Sequence, residues 1–206
     1  MKIYILRHGE TFANRDHRLQ GWLDSPLTDA GIELAARTGR GMQACGITFD
    51  AVYTSPLTRA KQTCAEVMRY CAGPGVVAIE DYRIREAFAG IYEGAPYPTD
   101  DSSSPMPLDR FLAYMNNAWN IDEFPGGDSV RAGCERAQDF LRDIATGDHE
   151  SVLVSCHGFC MRAMLNFLYS DPADFWQGRM PPNCSVSLVE TDGSRFELAG
   201  HDIIYY

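Results

Sequence analysis

The first apolar run, Ile3-Tyr4-Ile5-Leu6, breaks off at Arg7-His8-Gly9-Glu10. A short apolar run bounded by charge and glycine predicts a buried strand over residues 2–6. Residues 12–27 mix Asn, Asp, Gly and Pro and predict a loop. Thr28-Asp-Ala-Gly then opens a helix to about Ala44, with Thr28 as N-cap. Phe49 to Thr54 predicts a second strand, and Ser55-Pro56 a helix to about Tyr70, since proline suits the first helical turn. Val76 to Ile79 predicts a third strand. The pattern changes over 85–127, which is rich in Gly, Pro, Ser and aromatic residues, with a short helix near 107–118. Beyond it come a long helix from Asp128 to about Thr146, a buried strand from Ser151 to Cys156 and a helix to about Tyr169. Cys184–Glu190 and Arg195–Leu198 read as a terminal hairpin around Thr-Asp-Gly-Ser.

Strands alternating with helices predict an α/β fold, a three-layer α/β/α sandwich on a mostly parallel sheet. One domain over residues 1–206 is expected, with an insertion or lid at about 87–127 over one face. Composition narrows the function. The chain carries 28 acidic and 18 basic residues, a net charge of −10, and all but Lys2 and Lys61 of the basic residues are Arg. That acidity argues against nucleic acid and anionic membranes as partners, because both need a positive footprint. An anion would bind only where arginines gather, and the planar guanidinium suits phosphate or carboxylate. No apolar run is long enough to span a bilayer, and Met1–Glu10 lacks the core of a signal peptide, so a cytoplasmic protein is expected. The seven cysteines (45, 64, 71, 134, 156, 160 and 184) are spread out with no C-x-x-C pair, which predicts reduced, mostly buried thiols and no zinc site.

In such sheets ligands bind beyond the carboxyl ends of the strands. Three polar clusters lie there: Arg7-His8-Gly9-Glu10, Ser55 with Arg59, and His157-Gly158. An imidazole at a strand tip can act as a nucleophile, and glycine beside it lets the backbone approach a ligand. The blocks recur in order along the chain: Arg7-His8-Gly9-Glu10-Thr11 with Asn14; Gln20-Gly21-Trp22 with Asp24, Pro26-Leu27-Thr28 and Gly31; Ser55-Pro56-Leu57-Thr58-Arg59-Ala60 with Gln62-Thr63; Arg85-Glu86, Gly90 and Glu93-Gly94; Pro125-Gly126-Gly127-Asp128-Ser129; Ser155-Cys156-His157-Gly158; and Asn183-Cys184-Ser185. This ordered set resembles the histidine phosphatase superfamily, the phosphoglycerate mutase-like proteins. One departure is Asp128, where many phosphatase members have Glu.

The resemblance implies a phosphoglycerate mutase-like fold and a set of roles. His8 would be the nucleophile that forms a phosphohistidine, and Arg7, Arg59 and His157 would clamp the phosphate. Asn14, Gln20, Gly21 and Gly158 would help bind substrate, and the helix after His157 would add backbone N–H groups. Glu86 would protonate the leaving oxygen and then act as base on water. No metal and no cofactor is implied, because Arg and His supply the positive charge. The implied partner is a small phosphorylated metabolite; a homodimer stays open.

A competing string is Cys156-x5-Arg162, which resembles the phosphate loop of cysteine-dependent tyrosine phosphatases, with Asp171-Pro172 as the acid. It sits late in the chain and leaves Arg7, His8, Arg59 and Glu86 without a purpose. Within the superfamily, mutases carry extra basic residues in the insertion. Here residues 95–127 hold only Arg110 against Asp100, Asp101, Asp109, Asp122 and Glu123, beside Tyr97, Phe111, Tyr114, Trp119 and Phe124. Hydrolysis of phosphomonoesters is therefore expected over mutase-type transfer, with α-ribazole-phosphate phosphatase as one subtype. The aromatic insertion reads either as a small core of its own or as an apolar wall for the pocket.

Overall fold

The computed structural model describes residues 1–100 and 103–206; Asp101 and Ser102, part of the acidic and serine-rich stretch noted above, lie outside the described residues. Among the described residues six strands form one sheet: β1 (Lys2–Arg7), β2 (Ala51–Thr54), β3 (Ala78–Glu80), β4 (Ser151–Cys156), β5 (Val186–Thr191) and β6 (Phe196–Ile203), in the order β3-β2-β4-β1-β5-β6. The first four run parallel, and β5 and β6 add an antiparallel pair at one edge. The register sets Lys2 opposite Ser151 and Arg7 opposite Cys156, so β1 and β4 end together.

The helices are α1 (Phe12–Arg15), α2 (Asp29–Ala44), α3 (Thr58–Cys71), α4 (Leu108–Asn116), α5 (Val130–Ile144) and α6 (Gly158–Leu165). Alternation along β1 divides the core. Ile3 and Ile5 pack with Val152, Phe140 and Met164 on the α5–α6 side. Tyr4 and Leu6 pack with Val52, Met42 and Val67 on the α2–α3 side. β1 is buried on both faces because it is central, which is why its sequence is a continuous apolar run. The three layers are those expected, and no helix among the described residues is long and apolar enough to cross a membrane.

The structure moves several boundaries. Residues 12–15 form a helical turn inside the expected loop, because Thr11 accepts the Asn14 N–H at 3.0 Å while Asn14 Oδ1 accepts the Thr11 N–H at 3.2 Å. The helix expected from Ser55-Pro56 starts at Thr58; Leu57 offers no capping side chain. Asp24 supplies the cap from a distant loop, taking the Thr58 N–H at 2.8 Å and its hydroxyl at 2.6 Å. Ser55 is thereby left free for another partner. The helix after β4 stops at Leu165 and tightens into a 3-10 turn over Asn166–Leu168. β6 runs five residues past the expected Leu198, through a register shift against β5. Buried residues of the insertion, including Met106, Ala118, Ile121 and Phe124, join the same apolar cluster as Ile3 and Val152. The insertion therefore packs on the α5–α6 side and shares the main core.

Candidate active site

β1 carries His8 to its tip and the backbone pins it there. The His8 N–H donates to Cys156 O at 3.0 Å, at the end of β4. Asn183 Nδ2 donates to His8 O at 2.9 Å. The Gly9 N–H donates to Thr63 Oγ1 at 2.9 Å, which fixes the turn onto α3. The ring is buried, and its Nδ1 lies 2.7 Å from Gly9 O. A carbonyl oxygen only accepts, so Nδ1 carries the proton and Nε2 is left with a free lone pair. Burial, then the charges of Arg59 and Arg7, push the His8 pKa well below the usual 6.5. The imidazole is therefore neutral at neutral pH, with its nucleophilic nitrogen fixed by the tautomer.

His157, at the N-cap of α6, stands edge-on to His8 with ring centres 5.3 Å apart. Its Nδ1 accepts the Arg59 Nε–H at 3.1 Å, so its Nε2 carries the proton and donates to Ser55 Oγ at 2.8 Å. Burial and Arg59 also hold His157 well below the ordinary imidazole range. Arg59 is fully buried on α3 and gives its other N–H groups to Leu23 O at 2.9 Å and Gly21 O at 2.7 Å. Burial lowers its pKa to about 10, against the raising charge of Glu86, so it stays cationic.

A cavity of about 70 Å³ opens in front of this cluster, and Arg7, His8, Asn14, Gln20 and Glu86 line it. Arg59, His157, Gly21 and Gly158 do not line it: they form the layer behind. Gly158 lies close to the Arg7 guanidinium, where a Cβ would come 3.4 Å from Nε. Arg7 donates to Pro181 O, while its Nε is a buried donor with no hydrogen-bond partner among the described residues. Buried donors left without a partner are rare and mark a place where an acceptor belongs. Asn14 and Gln20 use their amide oxygens on Thr11, and among the described residues neither NH₂ group has a hydrogen-bond partner.

Glu86 comes from the loop before the insertion. Its Oε1 accepts the Ala87 N–H at 2.9 Å and its Oε2 the Phe159 N–H of α6 at 3.2 Å. One of the α6 N–H groups expected on phosphate is thus engaged by Glu86. Burial raises the Glu86 pKa and outweighs those hydrogen bonds and the pull of Arg59 and Arg7. Trp22 and Arg136 hold its carbonyl, Arg136 Nη2 donating at 3.3 Å. Trp22 Nε1 donates to Glu86 O at 2.9 Å, and Arg136 donates to Arg83 O and Arg85 O at 2.6 and 2.9 Å. Glu93 takes the N–H groups of Trp22, Leu23 and Ala89, tying the 20–24 loop to the Glu86 loop. Arg136 was not foreseen; a lone Arg on a helix carries no sequence signal that separates it from a solvated one.

The competing cysteine string finds no support in the geometry. Cys156 is fully buried and burial pushes its thiol well above the ordinary range. Arg162 points away into a buried ion pair with Asp202 at 2.6 Å and also donates to Arg179 O and His201. Among the described residues, no group of three or more His, Cys, Asp or Glu is placed to hold a metal ion.

The rest of the cavity wall is apolar or aromatic and includes Tyr97, Phe111, Tyr114, Phe124 and Phe159. Trp119, of the aromatic set in the insertion, packs instead on Phe175. Leu19, Met115, Phe159 and Met180 also line the cavity and carried no sequence signal.

Residues 3–203 match the model of the histidine phosphatase superfamily, branch 1. A probable phosphoglycerate mutase GpmB of Yersinia pestis (strain Pestoides F) is 31% identical over 203 residues, 97% of this chain and 89% of that one. The solved structure of Bacillus stearothermophilus YhfR superposes with a TM-score of 0.82 at 29% identity, covering 99% of this chain and 98% of that chain. A putative alpha-ribazole-5'-P phosphatase from Escherichia coli shares the fold, with a TM-score of 0.79 at 24% identity over 98% and 97% of the two chains. With its sheet, its Arg7-His8-Gly9 strand tip and this match over nearly its whole length, the chain belongs to the histidine phosphatase superfamily, branch 1, and is an enzyme of that phosphatase and mutase family.

Proposed function

We propose that the protein hydrolyses phosphomonoesters through a phosphohistidine on His8. The observation that carries this is the His8 tautomer: Nδ1–H is committed to Gly9 O, and Nε2 is free beside Arg7 and Glu86. In the first step Nε2 attacks phosphorus, the P–O bond to the alcohol breaks, and protonated Glu86 gives its proton to the leaving oxygen. Arg7 takes up the phosphoryl charge through the Nε–H that now has no partner. In the second step Glu86, now a carboxylate, takes a proton from water. The water oxygen bonds to phosphorus, the N–P bond breaks, and His8 and inorganic phosphate are released. Arg59 acts from behind, where its charge, with that of Arg7, keeps a proton off His8, and His157 packs edge-on against the His8 ring.

Hydrolysis is favoured over mutase chemistry because a mutase must hold a second anionic group. Among the described residues lining the cavity, Arg7 is the only Arg or Lys. The test is p-nitrophenyl phosphate hydrolysis beside 3-phosphoglycerate mutase activity, in wild type and His8→Ala. Phosphate release lost in His8→Ala, with an acid-labile, base-stable phosphoenzyme in wild type, is the expected result. Full activity in His8→Ala would overturn it, and mutase turnover above hydrolysis would replace it with the phosphotransfer reading.

A further inference from the structure

Part of the cavity lining is a braced aromatic wall. Tyr97 and Phe111 lie with ring centres 5.0 Å apart, and Tyr114 and Phe124 meet at 5.1 Å near edge-on. Tyr114 is further held by Trp176, whose ring stands edge-on to it and whose Nε1 donates to Tyr114 O at 2.7 Å. Phe159 stacks on Phe175 at 4.9 Å. Rings fixed by other rings do not close over the space between them, so the wall is preformed.

Two polar atoms interrupt this wall. Tyr114 is only 6% exposed, both Tyr97 and Tyr114 line the cavity, and neither hydroxyl has a hydrogen-bond partner among the described residues. Both hydroxyls are therefore open to the polar group of a bound molecule. The wall offers no charge to a second anion. Among the described residues lining the cavity Glu86 is the one carboxylate, and Arg7 is committed at the phosphate end. A carboxylate on the alcohol would be desolvated beside Glu86 with no cation to meet it, a cost of several kcal/mol for an unpaired charge.

We propose, on the reading that His8 accepts the phosphoryl group, that the enzyme selects monophosphates of uncharged, ring-bearing alcohols that carry a hydroxyl away from the ester. Tyr97 and Tyr114 are its specificity-determining residues: their rings pack on the alcohol and their hydroxyls bond its polar group.

The experiment measures kcat/KM for phenyl phosphate, 4-(hydroxymethyl)phenyl phosphate and 3-phosphoglycerate, by phosphate release, in wild type, Tyr97→Phe, Tyr114→Phe and Phe111→Arg. Wild type is expected to prefer both aryl esters to 3-phosphoglycerate by at least about tenfold, since leaving a charged group unpaired exceeds the 1.4 kcal/mol that a factor of ten represents. Each Tyr→Phe change should lower the ratio of the hydroxymethyl to the plain ester by about 2–12-fold, the range of one hydrogen bond. Phe111→Arg should shift preference toward 3-phosphoglycerate. Turnover that needs His8 but favours 3-phosphoglycerate in wild type would overturn the substrate assignment alone. An unchanged ester ratio in both tyrosine variants would remove their role. Turnover that survives His8→Ala would instead sink the reading beneath it.

Discussion

Acid should destabilise this protein through His8, the proposed nucleophile. In the unfolded chain His8 titrates near 6.5, whereas in the fold burial, Arg59 and Arg7 hold it neutral well below that value. Below pH 6.5 the unfolded state therefore binds more protons, and stability falls as the pH falls. For a group that protonates at 6.5 only when unfolded, the proton uptake is worth RT ln(1 + 10^(6.5 − pH)). That is under about 0.1 kcal/mol at about pH 7.5 and about 1.4 kcal/mol at about pH 5.5. His157, shifted the same way, adds a similar loss. Glu86, raised by burial, works in the opposite sense: it gains stability as the pH falls toward its unfolded value of 4.5. A difference measurement isolates His8. In His8→Asn the amide Nδ2 can donate to Gly9 O as the imidazole Nδ1 does. The variant also frees His157 from the charge of His8, a smaller influence on it than burial and Arg59. Urea denaturation of both proteins, followed by tryptophan fluorescence in phosphate-free buffers, gives the two pH dependences. Between about pH 7.5 and 5.5 the wild type should lose about 1.4 kcal/mol more than His8→Asn. Equal losses would mean that His8 takes up its proton in the folded state, and the claim of a neutral nucleophile would fail.

Three further outcomes follow from other parts of the structure. Asp202→Ala leaves the fully buried Arg162 guanidinium without its carboxylate, and should cost about 3–5 kcal/mol in a denaturant titration. Because His8 must be neutral and Glu86 protonated, hydrolysis should peak on the acid side of neutrality; Glu86→Gln should lower kcat on alkyl monoesters by about 10²–10⁴-fold and abolish the alkaline limb of the pH profile. Cys156→Ser should retain most of its turnover and the same phosphoenzyme, since that thiol is fully buried and held protonated.

What the sequence made legible follows the physics of each element. β1 and β4 are buried on both faces, so each is a plain apolar run with a clear end, and the residues at those ends belong to the candidate site. The half-exposed strand β6 hides its last residues in Gly200-His201-Asp202, where no apolar run continues. The α1 turn is too short to show a period, although its Thr11–Asn14 capping pair was present in the sequence. Arg59 and His157 were readable as members of the site but their aim was not. Their partners are the carbonyls of Gly21 and Leu23 and the Ser55 hydroxyl, and a backbone carbonyl leaves no mark on a residue pattern. Arg136 escaped for the same reason, and Glu93 stood in a motif block with no visible role, since both act on backbone groups of distant loops. The ambiguous aromatic insertion builds no core of its own: Phe124 joins the main core, and with Tyr97, Phe111 and Tyr114 it is also cavity wall.

The pinning of His8 has a consequence in time. Its N–H is held by Cys156 and its carbonyl by Asn183, which lies 175 residues downstream. A ribosome working at ~5–20 residues per second needs about 9–35 s to cross that interval. The nascent chain therefore displays Arg7-His8-Gly9 well before Cys156 and Asn183 exist to hold His8 from both sides. On the proposed reading, the His8 site is complete only after those late partners have been made and docked.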